Sequence, residues 1–154
     1  MFKKILVATD GSDSSKEAFR VAIKIAQQMG SQVFLLNATF VPYAYWGAHT
    51  VAGNIINQDE LHSMGEEMIA ATMNYCDIGD VPVTPVIVKG TAAVEIVKYA
   101  TQENIRLIVM GSHGHGPISG AFLGSVSQRV LQKAPCPVMV VKDQAAIDKV
   151  DVRS

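Results

Sequence analysis

The sequence predicts an open α/β fold, a parallel sheet with helices on both faces. Three observations carry this reading. Short apolar runs without polar alternation recur along the chain, as strands buried on both faces require. Between them lie stretches whose apolar residues return at steps of three and four, the helical period. The two kinds of segment alternate in the order β-α-β-α-β-α-β-α-β, the pattern of crossover units in parallel sheets.

The first strand is Ile5-Leu6-Val7-Ala8, stopped by the turn Thr9-Asp10-Gly11-Ser12. Ser14 and Glu17 have capping-box spacing for the helix that follows, its stripe is Ala18, Ala22, Ile25 and Met29, and Gly30 closes it. Val33-Phe34-Leu35-Leu36 is the second strand, and a long aromatic connection runs from about Thr39 to Asn57. Asn57 and Glu60 are placed to cap a second helix with the stripe Leu61, Met64, Met68, Ala71 and Tyr75. Val83 to Val88 reads as a strand, but Pro85 inside it and Pro82 before it cannot donate to a ladder, so this strand belongs at a sheet edge. Thr91 opens a short helix to about Ala100, Arg106 to Met110 is the fourth strand, Ser125 to about Lys133 a helix, and Pro137 to Val141 the last strand. From Asp143 onward a polar, frayed tail is expected.

The 154 residues, 49% hydrophobic and 18% charged, suit one globular domain that needs no disulfide or structural metal. With 13 Lys+Arg against 14 Asp+Glu, the net charge of -1 offers no field for nucleic acid or anionic lipid. No Lys or Arg occurs between Lys24 and Lys89, while acidic residues cluster there. Cys76 and Cys136 have neither disulfide-framework nor zinc spacing and read as small buried or half-buried thiols. Met1-Phe2-Lys3-Lys4 leads into an apolar run far shorter than a membrane span and without a cleavage pattern, so a cytoplasmic protein is expected.

In open parallel sheets, ligands gather at the carboxyl ends of the strands where the chain order reverses. Two loops compete for that place: Thr9 to Ser12, and the segment Gly111 to Ser125, which holds five of the twelve glycines. Glycines admit an anion close to backbone amides, and Gly124-Ser125 opens into a helix whose first amides lack partners. That is phosphate-binding chemistry. The plainer alternative is that Ser125 caps the helix with Gln128 at capping-box spacing and the glycines only shape a turn. Asp10 has two readings as well, a ligand contact or a turn residue bonding local amides.

The spacing Gly111-x-x-Gly114, then nine residues, then Gly124-Ser125, resembles the nucleotide motif of the ATP-binding branch of the universal stress protein family. Lys3 to Ser12, Val109 to Gly114, and Ala134-Pro135-Cys136-Pro137-Val138-Met139-Val140-Val141 resemble the same family, so that residues 1–142 form its domain and 143–154 a polar tail. The resemblance implies a five-stranded Rossmann-like sheet of the adenine nucleotide alpha hydrolase type, in the order 3-2-1-4-5. It also implies a homodimer through the last strand, whose exposed apolar edge otherwise invites indiscriminate pairing. ATP with Mg²⁺, or another adenine nucleotide, is the implied ligand. Asp10 would lie near the adenosine, Ala8 and Ala38 would line the adenine pocket, and Met110 would flank it. Gly111, Gly114, Gly124, Ser125, Val126 and Ser127 would hold phosphates through amides and hydroxyls. Ala8 and Ala38 are smaller than the side chains common at those matched positions, which loosens the expected fit to the base.

His113 and His115 lie inside the glycine loop, where solvated or phosphate-adjacent, non-catalytic roles are expected of them, and His113 is counted among the nucleotide-binding candidates. The loop has no Lys or Arg to stabilise phosphoryl transfer, so binding with little or no hydrolysis is expected. Tyr43, Tyr45 and Trp46 concentrate aromatics in the long second loop, a place for a protein partner or for packing over the second helix. The function classes left are a nucleotide-binding stress-response regulator, a nucleotide-independent dimer acting through protein contacts, and, least favoured, a slow ATPase.

Overall fold

A computed structural model describes residues 1–39, 58–114 and 123–148. Its strands are β1 (Lys4–Ala8), β2 (Gln32–Thr39), β3 (Val83–Lys89), β4 (Leu107–Gly111) and β5 (Val138–Val141). Between and after them come α1 (Asp13–Met29), α2 (Gln58–Met73), α3 (Ala92–Gln102), α4 (Ser125–Lys133) and α5 (Gln144–Asp148). The strands form one parallel sheet in the order β3-β2-β1-β4-β5, as expected. Pro85 stands opposite Leu35 on β3, which pairs with β2 and forms one edge. Its missing amide therefore costs no central ladder bond.

Strand alternation divides the interior into two cores. Ile5, Val7, Val33, Leu35, Leu107 and Val109 face α1 and α2, with Phe19, Ile23 and Ile69 among the side chains that cover them. Leu6, Phe34, Leu36, Ile108 and Met110 face the other way, under Ile96 of α3 and Val130 of α4. Each central strand is thus covered on both faces, which is why its sequence carries no polar alternation.

Four local expectations are corrected. The N-cap of α1 is Ser12, whose hydroxyl accepts the Ser15 amide at 3.3 Å, and Ser14 lies buried inside the helix. Asp10 causes this shift by accepting the Ser12 amide at 2.9 Å, which turns the chain early. Glu17 bonds Arg20 instead of an N-cap amide. The buried face of α1 runs through Ala18, Phe19, Ala22, Ile23 and Ala26, and Met29 is exposed. On α2 the buried residues are Gly65, Ile69 and Thr72, whereas Met64 and Tyr75 are 47% and 46% exposed. The fourth is the tail: it begins with buried Asp143 and forms α5, so through Asp148 it is ordered structure. Asn57, the proposed cap of α2, and the aromatics Tyr43, Tyr45 and Trp46 lie outside the described residues.

The rotation of α2 has a steric cause. A Cβ on Gly65 would lie 3.0 Å from Asn37 Oδ1 and 3.2 Å from Ile87 Cγ2, so this glycine lets the helix settle onto β2 and β3. Gly65→Leu is expected to lower unfolding free energy by about 1–3 kcal/mol, the usual cost of overpacking, measured by urea denaturation.

Candidate functional site

β1 and β4 are neighbours at the centre of the sheet, and the chain leaves them toward opposite sides, β2 and β3 on one and β5 on the other. Their carboxyl ends therefore frame a crevice. Thr9 continues from β1 with its amide on Leu36 O at 2.9 Å, and Ser112 continues from β4 with its amide on Val141 O at 3.0 Å. The glycine segment returns where the Gly124 amide donates to Ser112 O at 2.8 Å, and α4 starts at Ser125. These three pieces enclose a cavity of about 340 Å³.

All eleven residues selected from the sequence line this one cavity: Ala8, Asp10, Ala38, Met110, Gly111, His113, Gly114, Gly124, Ser125, Val126 and Ser127. Among the described residues five more line it: Thr9, Ser15, Leu36, Ala92 and Ile96. Leu36 was legible as the residue two before Ala38, on the same face of β2. Ala92 and Ile96 lie four apart on α3, and only the strand order brings them to this wall. His115 and the remainder of 115–122 lie outside the described residues.

The cavity lining is of two kinds. Ala8, Leu36, Ala38, Ala92, Ile96 and Met110 give it apolar surface that continues one of the two cores. The start of α4 also borders it, with N-cap Gly124, which makes no side-chain cap, and Gln128 is the first residue whose amide bonds back, to Gly124 O at 3.1 Å. The amides of Ser125, Val126 and Ser127 belong to the helix start that intrahelical bonding leaves open, and they carry the positive end of the helix dipole. The alternative in which Ser125 caps α4 is thereby corrected: Ser125 is already inside the helix. Gln128 Nε2 instead donates to Leu123 O at 2.8 Å.

Several predicted residues hold the walls as well as line them. A Cβ on Gly111 would collide with Ser14 Oγ and lie 2.8 Å from the Ser14 carbonyl carbon. The first turn of α1 is what demands glycine there. Ser127 Oγ donates to Gly111 O at 2.9 Å, so this hydroxyl ties α4 to β4, and only its amide remains for a ligand. Asp10 accepts the Ser12 amide with Oδ1, the turn role, while Oδ2 would lie 2.5 Å from a Cβ on Gly114. Asp10 thus faces the glycine loop across the crevice.

Thr9 organises the floor. Its hydroxyl lies 3.0 Å from Ser15 Oγ and 2.8 Å from Thr72 Oγ1 and accepts the Gly11 amide at 3.1 Å, and its carbonyl accepts Asn37 Nδ2 at 2.9 Å. His113 stands in the opposite wall, Nδ1 at 3.0 Å from Gly114 O and Nε2 at 3.1 Å from both oxygens of Asp143. Burial disfavours its charged form, but the Asp143 carboxylate, Gly114 O and the more distant Asp10 outweigh this and raise its pKa above the ordinary value. Among the described residues no three His, Cys, Asp or Glu side chains converge as a metal site. No helix among them is long and apolar enough to cross a membrane.

Comparison with known proteins places these features in context. The model of the universal stress protein family matches residues 1–142. Universal stress protein MJ0531 of Methanocaldococcus jannaschii is 32% identical over 146 residues, covering 92% of this chain and 83% of its own. Among solved structures, that of MJ0577, from the same organism, superposes with a TM-score of 0.75 at 30% identity, over 94% of this chain and 98% of that one. A universal stress protein family protein from Arabidopsis thaliana with AMP bound shares the fold, with a TM-score of 0.66 at 22% identity over 93% of both chains.

The two loop glycines differ in what they tolerate. Gly111→Ala is expected to destabilise the fold by about 1–3 kcal/mol, because the α1 backbone cannot retreat. Gly124→Ala, whose Cβ would meet its nearest neighbours at 3.4 Å, is expected to leave the denaturation midpoint nearly unchanged.

Proposed function

Because the chain belongs to the universal stress protein family, we propose that it binds an adenine nucleotide, ATP with Mg²⁺, at the crevice between β1 and β4. In this reading it serves as a cytoplasmic stress-response regulator, not as a phosphotransferase. The observation that carries the reading is the two-part lining of the cavity. A nucleotide has a flat apolar base at one end and a polyanion at the other, and the lining offers apolar side chains and a helix N-terminus to match. AMP in the plant relative is a precedent for the fold, and the argument rests on this chain's own residues.

Ala8, Ala38 and Met110 would contact the base, with Leu36, Ala92 and Ile96 behind them. Asp10 would stand beside the ribose, where a carboxylate can accept from hydroxyls, with Oδ2 also facing Gly114. Gly114, Gly124 and the amides of Ser125, Val126 and Ser127 would cradle the phosphates, and Gly111 would hold the end of β4 close to α1. Mg²⁺ would arrive on the phosphates, which it neutralises.

Turnover is not part of this proposal. Phosphoryl transfer is accelerated by cations placed on the developing charge. Among the described residues no Lys or Arg lines the cavity, and 40–57 and 115–122 contain none. Amides and a helix dipole bind a resting polyanion without that selective stabilisation.

The outer edge of β5 supports a homodimer. β5 pairs with β4 on one side, and Met139 is 37% exposed. A second copy pairing there would cover an apolar edge that otherwise favours aggregation.

The test is calorimetric titration of nucleotide-free protein with ATP and Mg²⁺, joined to chromatography of nucleotide released from freshly purified, denatured protein. Saturable binding near one site per chain is expected. Gly114→Asp, which adds a second carboxylate opposite Asp10 where phosphate would approach, is expected to abolish the heat of binding and keep the circular dichroism spectrum. Normal binding by this variant would remove the loop from the phosphate site.

A further inference from the structure

The two ring nitrogens of His113 meet two groups that can only accept, the Gly114 carbonyl and the ionised Asp143 carboxylate. A neutral imidazole has one N–H and leaves one of these contacts without a proton. The imidazolium would satisfy both, so the geometry suits a charged ring. Asp143 stands 30 residues further along the chain, immediately beyond β5, and is buried although it does not line the cavity. The link therefore runs from the glycine loop away from the ligand space, beside the bond from the Ser112 amide to Val141 O.

From this arrangement we infer that Asp143 is a positioning residue for the glycine loop, fastening the Gly114 carbonyl to the exit of β5 through a doubly donating His113 ring. The inference rests on reading that loop as the phosphate cradle. It gives the first residue of the expected tail a part in the site, and it makes the order of the cradle dependent on a proton.

Among the described residues, two carboxylates act on His113: Asp143 from the exit of β5 and Asp10 from the exit of β1. The first turn of α4, Ser125 to Ser127, presents no titratable side chain, and Lys142 beside Asp143 is exposed. Since the folded-state pKa of His113 is raised, the link contributes fully below the unfolded value of about 6.5 and is lost as pH rises through the folded value. Loss of that link loosens the cradle and weakens nucleotide binding.

The test compares the full chain with Asp143→Asn, which keeps the shape and an accepting oxygen but not the charge. Nitrogen NMR of the imidazole follows His113 through a pH titration, hydrogen exchange follows the Gly114 amide, and calorimetry follows Mg·ATP affinity across the same range. Ionisation of the nucleotide's terminal phosphate is common to both proteins and cancels. We expect the His113 midpoint to fall in the variant and the Gly114 amide to exchange faster. We also expect the wild-type loss of affinity across the midpoint, about tenfold as for one charge-assisted hydrogen bond, to disappear. Asp143→Glu, which retains the charge, should restore the midpoint in part. An unchanged His113 midpoint, or an unchanged pH profile of affinity in a variant that binds, would overturn the inference. If wild type binds no Mg·ATP at any pH while the midpoint and the exchange rate still respond, the link stands and the nucleotide reading fails.

Discussion

The crevice depends on one close approach, the first turn of α1 pressed against Gly111 at the end of β4. Ser14 is fully buried there, and the space between its backbone and Gly111 admits no Cβ. That contact fixes how the chain leaving β1 lies against the chain leaving β4. Ser127 adds the third member, since its hydroxyl donates to the carbonyl of the same glycine. The turn after β1, the exit of β4 and the start of α4 therefore meet at a single residue without a side chain. The cavity is the space left beside that junction.

A polar layer holds the remaining walls to it. Thr9 shares its hydroxyl with Ser15 of α1 and Thr72 of α2, and its carbonyl takes the amide of Asn37 from β2. Thr72 gives the buried Thr9 hydroxyl a partner from α2, and an unpaired polar group in the interior costs more than an apolar one. This explains why α2 turns Gly65, Ile69 and Thr72 to the sheet and leaves Met64 and Tyr75 outside. Hydrophobicity alone favours the opposite rotation. The hydroxyl of Thr72 and the missing side chain of Gly65 decide it.

What the sequence made legible follows from the same physics. Uninterrupted apolar strands, Pro85 at an edge and glycines at a strand exit are local signatures of global requirements, so strand identity, edge position and the cavity wall could be read in advance. The rotation of α2 could not, because it depends on what Asn37 and Ile87 present from other strands. The cap of α1 was misplaced by two residues because Ser12, Ser14 and Ser15 are chemically alike, and the choice among them is made by Asp10 bonding the Ser12 amide. Ser127 read as a ligand hydroxyl for the same reason: its partner, Gly111 O, is a neighbour only in space. Asp143 gave no signal at all, since a lone acid after the last strand looks like any solvated tail residue until His113 is found beside it.

The distribution of charge around the crevice gives it a direction. On one wall Asp10 brings a carboxylate to the exit of β1, and on the other the start of α4 brings unpaired amides and the positive end of a helix dipole of roughly half a charge. A polyanion entering this space is repelled from the first wall and drawn to the second, so on the proposed reading a nucleotide has one favourable orientation, with its base toward Ala8, Ala38 and Met110. Paired with Asp143, the His113 imidazolium adds no net charge, and its deprotonation would add a negative one. The cradle therefore holds phosphate by fixed dipoles, whose contribution depends on the backbone staying in place. Its strength is set by how firmly the loop is fastened, at Gly111 by the packing of α1 and at Gly114 by the ring of His113.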